Sequence, residues 1–171
     1  MTDEKQQIIQ VLFVCMGNIC RSPMAEGVFR HRWRERAGES NLATEMGIDS
    51  AGTHSYHVGS VPDPRAQAAT SRRGVDISAL AARRVAPEDF ERFDFILAMD
   101  RDNLEYLIAE AAVENHDKIQ LFLDYSVTKR GGEVPDPYYG GPTGFERVLD
   151  LIEDATEGFI DELLKGDALS S

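Results

Sequence analysis

The sequence predicts a single α/β domain: a central four-stranded parallel sheet, helices on both faces, and an anion-binding loop directly after the first strand. Three observations carry this expectation. Short, nearly continuous apolar runs alternate four times with segments whose apolar residues recur at helical spacing, which is the pattern of a parallel sheet covered on both sides. Capping residues and prolines mark the helix starts. Only a few residues separate the first apolar run from the first helical segment, so the chain turns sharply from strand to helix there. At 171 residues the chain fits one domain, 1–171, with a sizeable core, and it contains no repeat, low-complexity tract or interdomain linker.

The first run, Ile8 to Val14, reads as a strand buried on both faces. Ser22 and Pro23 then suit an N-cap and a first helical residue. The helix they open carries Met24, Val28, Phe29 and Trp33 on one face and ends near Gly38. A polar connection from Glu39 to Gly47 leads to a short strand around Ile48–Ala51, and Gly52 to Pro62 reads as a loop. Asp63-Pro64 has the form of a cap and first-turn proline, opening a helix through Ala66 and Ala69 that stops at Gly74. Pro87 to Phe90 suggests one helical turn. Phe93–Met99 reads as a buried strand. Asp100 caps the helix after it, which would place Leu104, Leu107, Ile108 and Ala111 on one side. Lys118–Leu123 is the fourth predicted strand. After a polar loop, Phe145, Val148, Leu149, Ile152, Phe159 and Leu163 form the apolar stripe of a last helix. Residues 1–6 and 166–171 are expected to fray.

Composition narrows the function classes. With 42% apolar and 28% charged residues the chain is an ordinary globular protein. A net charge of −12 argues against nucleic-acid or anionic-membrane partners, both of which need a basic face. No run approaches the ~20 apolar residues of a membrane span. The polar start, Met1-Thr2-Asp3-Glu4-Lys5, lacks the features of a signal peptide, and two cysteines without such a signal point to a reducing, cytoplasmic setting.

The chemistry concentrates in Cys15-Met16-Gly17-Asn18-Ile19-Cys20-Arg21-Ser22. A strand that turns at once into a helix leaves backbone N–H groups unpaired and aimed at one point, where the helix dipole adds about half a positive charge. Cys15 stands at the floor of that site, in a field that favours a thiolate. Arg21 supplies a planar, always-charged fork suited to two oxygens of one phosphate. Asn18 is a residue type that tolerates a left-handed backbone, and Ser22 can hydrogen-bond the thiolate while capping the helix. A thiolate nucleophile and an oxyanion clamp in one loop indicate covalent phosphoryl transfer. His54 and His57 have i, i+3 spacing but no evident third ligand, so no metal site is expected.

Further segments extend the picture. Ser50-Ala51-Gly52-Thr53, Asp63-Pro64-Arg65-Ala66, Ala98-Met99-Asp100 and Val134-Pro135-Asp136-Pro137-Tyr138-Tyr139-Gly140-Gly141-Pro142 follow the Val11–Glu26 segment in the order seen in the low-molecular-weight protein tyrosine phosphatases, which the chain resembles over nearly its whole length. The resemblance implies catalytic Cys15, Arg21 and Asp136: nucleophile, oxyanion clamp and general acid/base. It implies a phosphate-binding loop formed by Met16, Gly17, Asn18, Ile19, Cys20, Arg21 and Ser22, with Tyr56, Tyr138 and Tyr139 lining the substrate. Cofactors are not needed. It also implies phosphotyrosine proteins as partners, a cognate tyrosine kinase among them, and a monomer. Cys20 is either a redox partner of Cys15, as in relatives, or a small buried residue under the loop. Two departures stand out. Arg73 occupies a position where the family often has a histidine bonded to the loop asparagine, and Tyr56 stands where many relatives carry tryptophan.

Three alternatives share parts of this pattern. A thioredoxin-linked arsenate reductase of the same fold needs cysteines downstream of the loop, and none follows residue 20. The phosphoarginine-directed branch carries threonine where Ile19 stands, so Ile19 favours phosphotyrosine. A phosphopeptide-binding pseudophosphatase would lack the nucleophile or the acid, and both are present.

Overall fold

The computed structural model describes residues 8–39, 45–138 and 142–165. The two termini expected to fray, and Tyr139, lie outside these residues. Four strands form the sheet: β1 (Gln10–Cys15), β2 (Gly47–Gly52), β3 (Phe95–Ala98) and β4 (Ile119–Leu121). They lie in the order β2-β1-β3-β4, and every neighbouring pair is parallel. The helices are α1 (Arg21–Glu39), α2 (Pro64–Ser71), α3 (Asp89–Arg92), α4 (Arg101–Glu110) and α5 (Pro142–Lys165).

Strand alternation explains the two apolar layers. Side chains along β1 point to opposite faces in turn. Val11, Phe13 and Cys15 join α1 and α5 residues such as Phe29, Trp33, Val148 and Phe159 on one side. Leu12 and Val14 join Phe90, Phe93, Ile96 and Leu107 on the other. Phe13 packs between Phe29 and Phe122, with ring centroids 5.6 and 5.1 Å away. All six residues of the predicted last stripe, Phe145 to Leu163, are buried. Ionic contacts lace the helices outside this core. Arg32 and Arg36 of α1 meet Glu157 and Asp161 of α5, and Arg73, just past α2, meets Glu146, Asp150 and Glu153.

The predicted elements all form, with five adjustments. Strand β1 begins at Gln10 and runs on to Cys15, so Ile8, expected at its buried start, lies outside it and is exposed. Helix α1 starts at Arg21, so Ser22 sits inside its first turn instead of flanking it, and its hydroxyl faces Cys15. The turn after Pro87 is shifted to Asp89–Arg92, and Phe93 ends that turn, which delays β3 to Phe95. Strand β4 stops at Leu121 because Phe122–Tyr125 coils into a 3-10 turn that still buries Phe122 and Leu123. On α4, Leu107 is buried while Ile108 faces outward at 37% exposure, since the helix meets the sheet along a narrower stripe than expected. Asp63 and Asp100 cap as predicted, accepting from the N–H groups of Arg65 and Asn103.

The chain leaves β1 for β2 on one side and returns to β3 on the other. The carboxyl end of β1 is therefore the point where strand order reverses, the usual place for a ligand in an open parallel sheet. Cys15 ends β1, and Asp100 follows β3 by two residues.

Candidate active site

The loop from Cys15 to Arg21 is held from outside by its own carbonyls. The oxygens of Cys15, Met16 and Ile19 accept hydrogen bonds from the N–H groups of Thr53, His54 and Asp63 at 2.9, 3.0 and 2.8 Å. Gly52, paired with Cys15 in the sheet, lies hard against it. A Cβ there would fall 2.6 Å from the Met16 oxygen and 3.2 Å from the Asn18 nitrogen. Asn18 has a φ of +56°, the left-handed conformation expected of it. Its side chain fixes that turn. Nδ2 donates to Ser22 Oγ at 2.8 Å and to Ser50 Oγ at 3.0 Å, while Oδ1 accepts from the Arg83 N–H at 3.0 Å. Ser50 in turn donates to the buried Glu26 carboxylate at 2.6 Å. Burial pushes the Glu26 pKa up, against the opposing pull of Ser50 and Arg30.

Arg73 plays no part in this bracing. It is spent on the acidic face of α5, and the Asn18 network is completed by Ser22, Ser50 and the backbone of Arg83.

Cys15 is buried, with its sulfur 3.0 Å from Ser22 Oγ and accepting the Asn18 N–H at 3.3 Å. Arg21 is also buried. Its Nη1 donates to Asp100 Oδ2 at 2.7 Å and to the Val134 carbonyl at 3.0 Å, and its Nη2 lies 3.8 Å from Asp136 Oδ2. Burial alone would lower the Arg21 pKa, but Cys15, Asp100 and Asp136 raise it overall, so the guanidinium stays charged. Val134 is itself tied to the end of β3 through its N–H to the Met99 oxygen at 2.8 Å.

These groups open onto a cavity of about 340 Å³ lined by Cys15, Arg21, Asp136, Tyr56, His57 and Tyr138, with loop residues Met16, Gly17, Ile19 and Cys20. Of the predicted site residues, only Tyr139 lies outside the described part of the chain. Asn18 and Ser22 stand behind the loop, bracing it, and are not among those lining the cavity. Tyr56 projects at 82% exposure and stacks on His54 with ring centroids 5.7 Å apart. Cys20 is a free, buried thiol whose pKa is pushed up to about 12 by burial and by Asp63, Cys15 and Asp136.

Sequence reasoning missed three residues. The sequence marks Asp100 as a helix cap and as the end of the Ala98-Met99-Asp100 segment, but not as the ion-pair partner of Arg21 that its second oxygen is. His57 was weighed only as a metal ligand. It packs on the loop instead, where a Cβ on Gly17 would meet its ring at 3.0 Å. Glu26 gave no signal beyond being an acidic residue among the apolar ones of α1. Among the described residues no group of three or more His, Cys, Asp or Glu side chains is arranged to hold a metal ion, and no helix is long and apolar enough to cross a membrane.

A cysteine at the floor of a strand-to-helix loop, backed by a buried arginine and faced by an aspartate, is the arrangement of a thiol-dependent phosphatase. The model of the family described as "Low molecular weight phosphotyrosine protein phosphatase" matches residues 10–168. A low molecular weight protein-tyrosine-phosphatase of Streptomyces coelicolor is 43% identical over 154 residues, 88% of this chain and 91% of that one. Among solved structures, a protein tyrosine phosphatase from Entamoeba histolytica superposes with a TM-score of 0.84 at 42% identity, covering 93% of this chain and 99% of that one. The Drosophila arginine phosphatase superposes with a TM-score of 0.79 at 34% identity, covering 93% and 99%. The chain belongs to the low molecular weight phosphotyrosine protein phosphatase family, which are metal-independent phosphoric monoester hydrolases.

Proposed function

We propose that this single domain hydrolyses phosphotyrosine in proteins through a cysteinyl-phosphate intermediate. The observation that carries the reading is the convergence of Cys15, Arg21 and Asp136 on one cavity whose walls include Tyr56 and Tyr138. The Cys15 thiolate attacks phosphorus in line with the aryl oxygen, forming an S–P bond as the P–O bond breaks. Asp136 delivers its carboxyl proton to the departing phenolate. Water then attacks the same phosphorus, Asp136 takes back a proton, and the S–P bond breaks to release inorganic phosphate and restore the thiolate.

Charge shifts onto the equatorial oxygens in both steps, and preorganised donors stabilise it there. Arg21 supplies two of these donors, held at an angle set by Asp100 and the Val134 carbonyl. The unpaired N–H groups of the loop and of the first turn of α1 supply the rest. Ser22, 3.0 Å from the sulfur, stabilises the thiolate as attacking and leaving group. Cys20, held protonated at neutral pH by its burial, leaves Cys15 as the nucleophile of the pair, and sits close enough in sequence to serve as its redox partner.

Phosphotyrosine is favoured over phosphoarginine because Ile19 puts an apolar side chain in the cavity wall beside the aromatic pair. The setting is cytoplasmic and the partners are phosphotyrosine proteins, with a tyrosine kinase as one candidate substrate of the monomer. Specificity constants on matched phosphotyrosine, phosphoserine, phosphothreonine and phosphoarginine peptides test the assignment. Phosphotyrosine is expected to lead, and faster turnover of phosphoarginine would move the protein to the branch of the Drosophila enzyme.

A further inference from the structure

Two loops far apart in sequence must keep register for this chemistry: the one holding Cys15 and the one holding Asp136. The start of α2 touches both. The Asp63 N–H donates to the Ile19 oxygen of the first loop at 2.8 Å. The Asp63 carboxylate accepts from the Arg65 N–H at 2.8 Å, from Arg65 Nε at 3.1 Å and from Nη2 at 2.9 Å. The remaining terminal nitrogen of that guanidinium, Nη1, donates to the Tyr138 carbonyl at 3.1 Å. The Tyr138 N–H donates to Asp136 Oδ1 at 3.0 Å. An unbroken chain of contacts therefore runs from Ile19 through Asp63, Arg65 and Tyr138 to the carboxylate of Asp136.

The guanidinium is also fixed in orientation. Its carbon lies 5.4 Å from the centroid of the Tyr138 ring and 5.0 Å from that of Phe145, which is buried on α5. An exposed arginine with one carboxylate partner contributes little by itself, because solvent screens the pair and side-chain entropy opposes it. Here the forked ion pair, a backbone acceptor and two ring faces engage one planar group at once. A lysine can keep one contact to the Asp63 carboxylate, but not the fork, the backbone bond and the ring contacts together.

We infer that Arg65 is a positioning residue for the proton transfer: it clamps the Tyr138 segment so that the Asp136 carboxyl meets the leaving oxygen. The inference rests on the reading of Asp136 as general acid. It goes beyond that reading in assigning a role to an exposed arginine outside the catalytic cavity. Arg65 makes no contact with the Cys15 sulfur or Arg21 among the bonds described, so it acts on the acid half of the site.

The test compares phenyl phosphate, whose phenolate leaves poorly, with p-nitrophenyl phosphate, whose phenolate leaves easily. Arg65→Ala, Arg65→Lys, Asp136→Asn and the double variant Arg65→Ala/Asp136→Asn are assayed for the rate of thiol phosphorylation. A displacement on the order of 1 Å costs up to about a hundredfold. Arg65→Ala is expected to lose about ten- to hundredfold on phenyl phosphate and little on p-nitrophenyl phosphate. Arg65→Lys is expected to show the same selective loss in smaller measure, and adding Arg65→Ala to Asp136→Asn is expected to cost nothing more. A general loss of packing would slow both substrates alike. Equal losses on the two substrates, full activity of both Arg65 variants, or an additive double variant would each overturn the inference while leaving Asp136→Asn selective and the proposed function intact. Absence of any selective loss in Asp136→Asn itself would overturn the acid assignment and, with it, the clamp.

Discussion

The Cys15 sulfur accepts the Asn18 N–H at 3.3 Å and lies 3.0 Å from Ser22 Oγ, within a loop that Asn18 holds in a left-handed turn. Replacing sulfur by oxygen keeps the shape and removes the proposed nucleophile, because a serine hydroxyl is almost fully protonated at neutral pH. Cys15→Ser is therefore expected to abolish hydrolysis of any aryl phosphate while still binding vanadate or phosphate. Measurable turnover above the level of free solution would refute a covalent role for the sulfur. Arg21→Lys keeps the charge and loses the planar fork, which spans Asp100, the Val134 carbonyl and the oxyanion position. Its kcat is expected to fall severely on good and poor leaving groups alike, since both pass through the same charged phosphorus centre. Near-normal kinetics would mean that the oxyanion is held by other donors.

Close approach between elements sets the geometry of the loop. Gly52 ends β2 beside Cys15, and any Cβ there meets backbone atoms of Met16 and Asn18 that have no room to retreat. Gly52→Ala should destabilise the fold by about 1–3 kcal/mol, as overpacking usually does. It should also reduce kcat/KM on both kinds of leaving group, because the phosphate loop itself is displaced. Thermal melting and steady-state kinetics on the purified variant check both effects, and an active, undisturbed variant would show that the strand end yields easily.

Much of this architecture was legible in the sequence, because β1 advertises itself through a buried run, α2 and α4 through the caps Asp63 and Asp100, and α5 through a long apolar stripe. So was the gathering of Cys15 to Ser22 into one loop at the end of β1, since those residues are contiguous. The pairings that brace that loop were not. Arg21 finds Asp100 79 residues away, and Arg65 finds Tyr138 73 residues away. Such partners are fixed by strand order, which periodicity does not reveal. The end of β4 and the outward turn of Ile108 were hidden for another reason: apolar residues fill a 3-10 turn or a half-exposed helix flank as readily as a strand or a core.

Across the whole molecule the net charge is −12, and the fold holds several of the carboxylates behind it in their ionised form. Arg65 hydrogen bonds, against the opposing effect of burial, lower the Asp63 pKa, and Arg72 and Arg73 do the same for Glu146. Burial raises the Asp154 pKa, but the hydroxyls of Ser126 and Thr128 and the N–H groups of Thr128 and Val127 outweigh it and the net shift is downward. A carboxylate lowered on folding stabilises the native state above its unfolded pKa, and that contribution is lost as pH falls through the lower folded value. Glu26 works in the opposite sense. Its folded pKa is raised by burial, so its contribution is complete below the unfolded value and fades as pH climbs through the folded one. Among the described carboxylates four are lowered, Asp76 through its hydrogen bonds from Ser78 being the fourth, against one raised, which predicts that stability to urea falls below about pH 4, where ordinary carboxylates titrate. Asp154→Asn should be less stable than the parent at neutral pH and converge with it in acid. A constant difference across that range would show that Asp154 is not ionised in a favourable setting.

The most direct test of covalent catalysis by this loop is to catch the phosphoryl group on its sulfur. Asp136→Asn lacks the carboxylate proposed to activate water, so a substrate with an easily departing phenolate should phosphorylate the thiol faster than the intermediate is hydrolysed. Mixing this variant with p-nitrophenyl phosphate, quenching in denaturant within milliseconds to seconds, and mapping the peptides should find one phosphoryl group on Cys15. Its appearance should match a burst of nitrophenolate of equal amount. Continued release of nitrophenolate with no phosphoryl group on Cys15, or with the group on another residue, would contradict the mechanism.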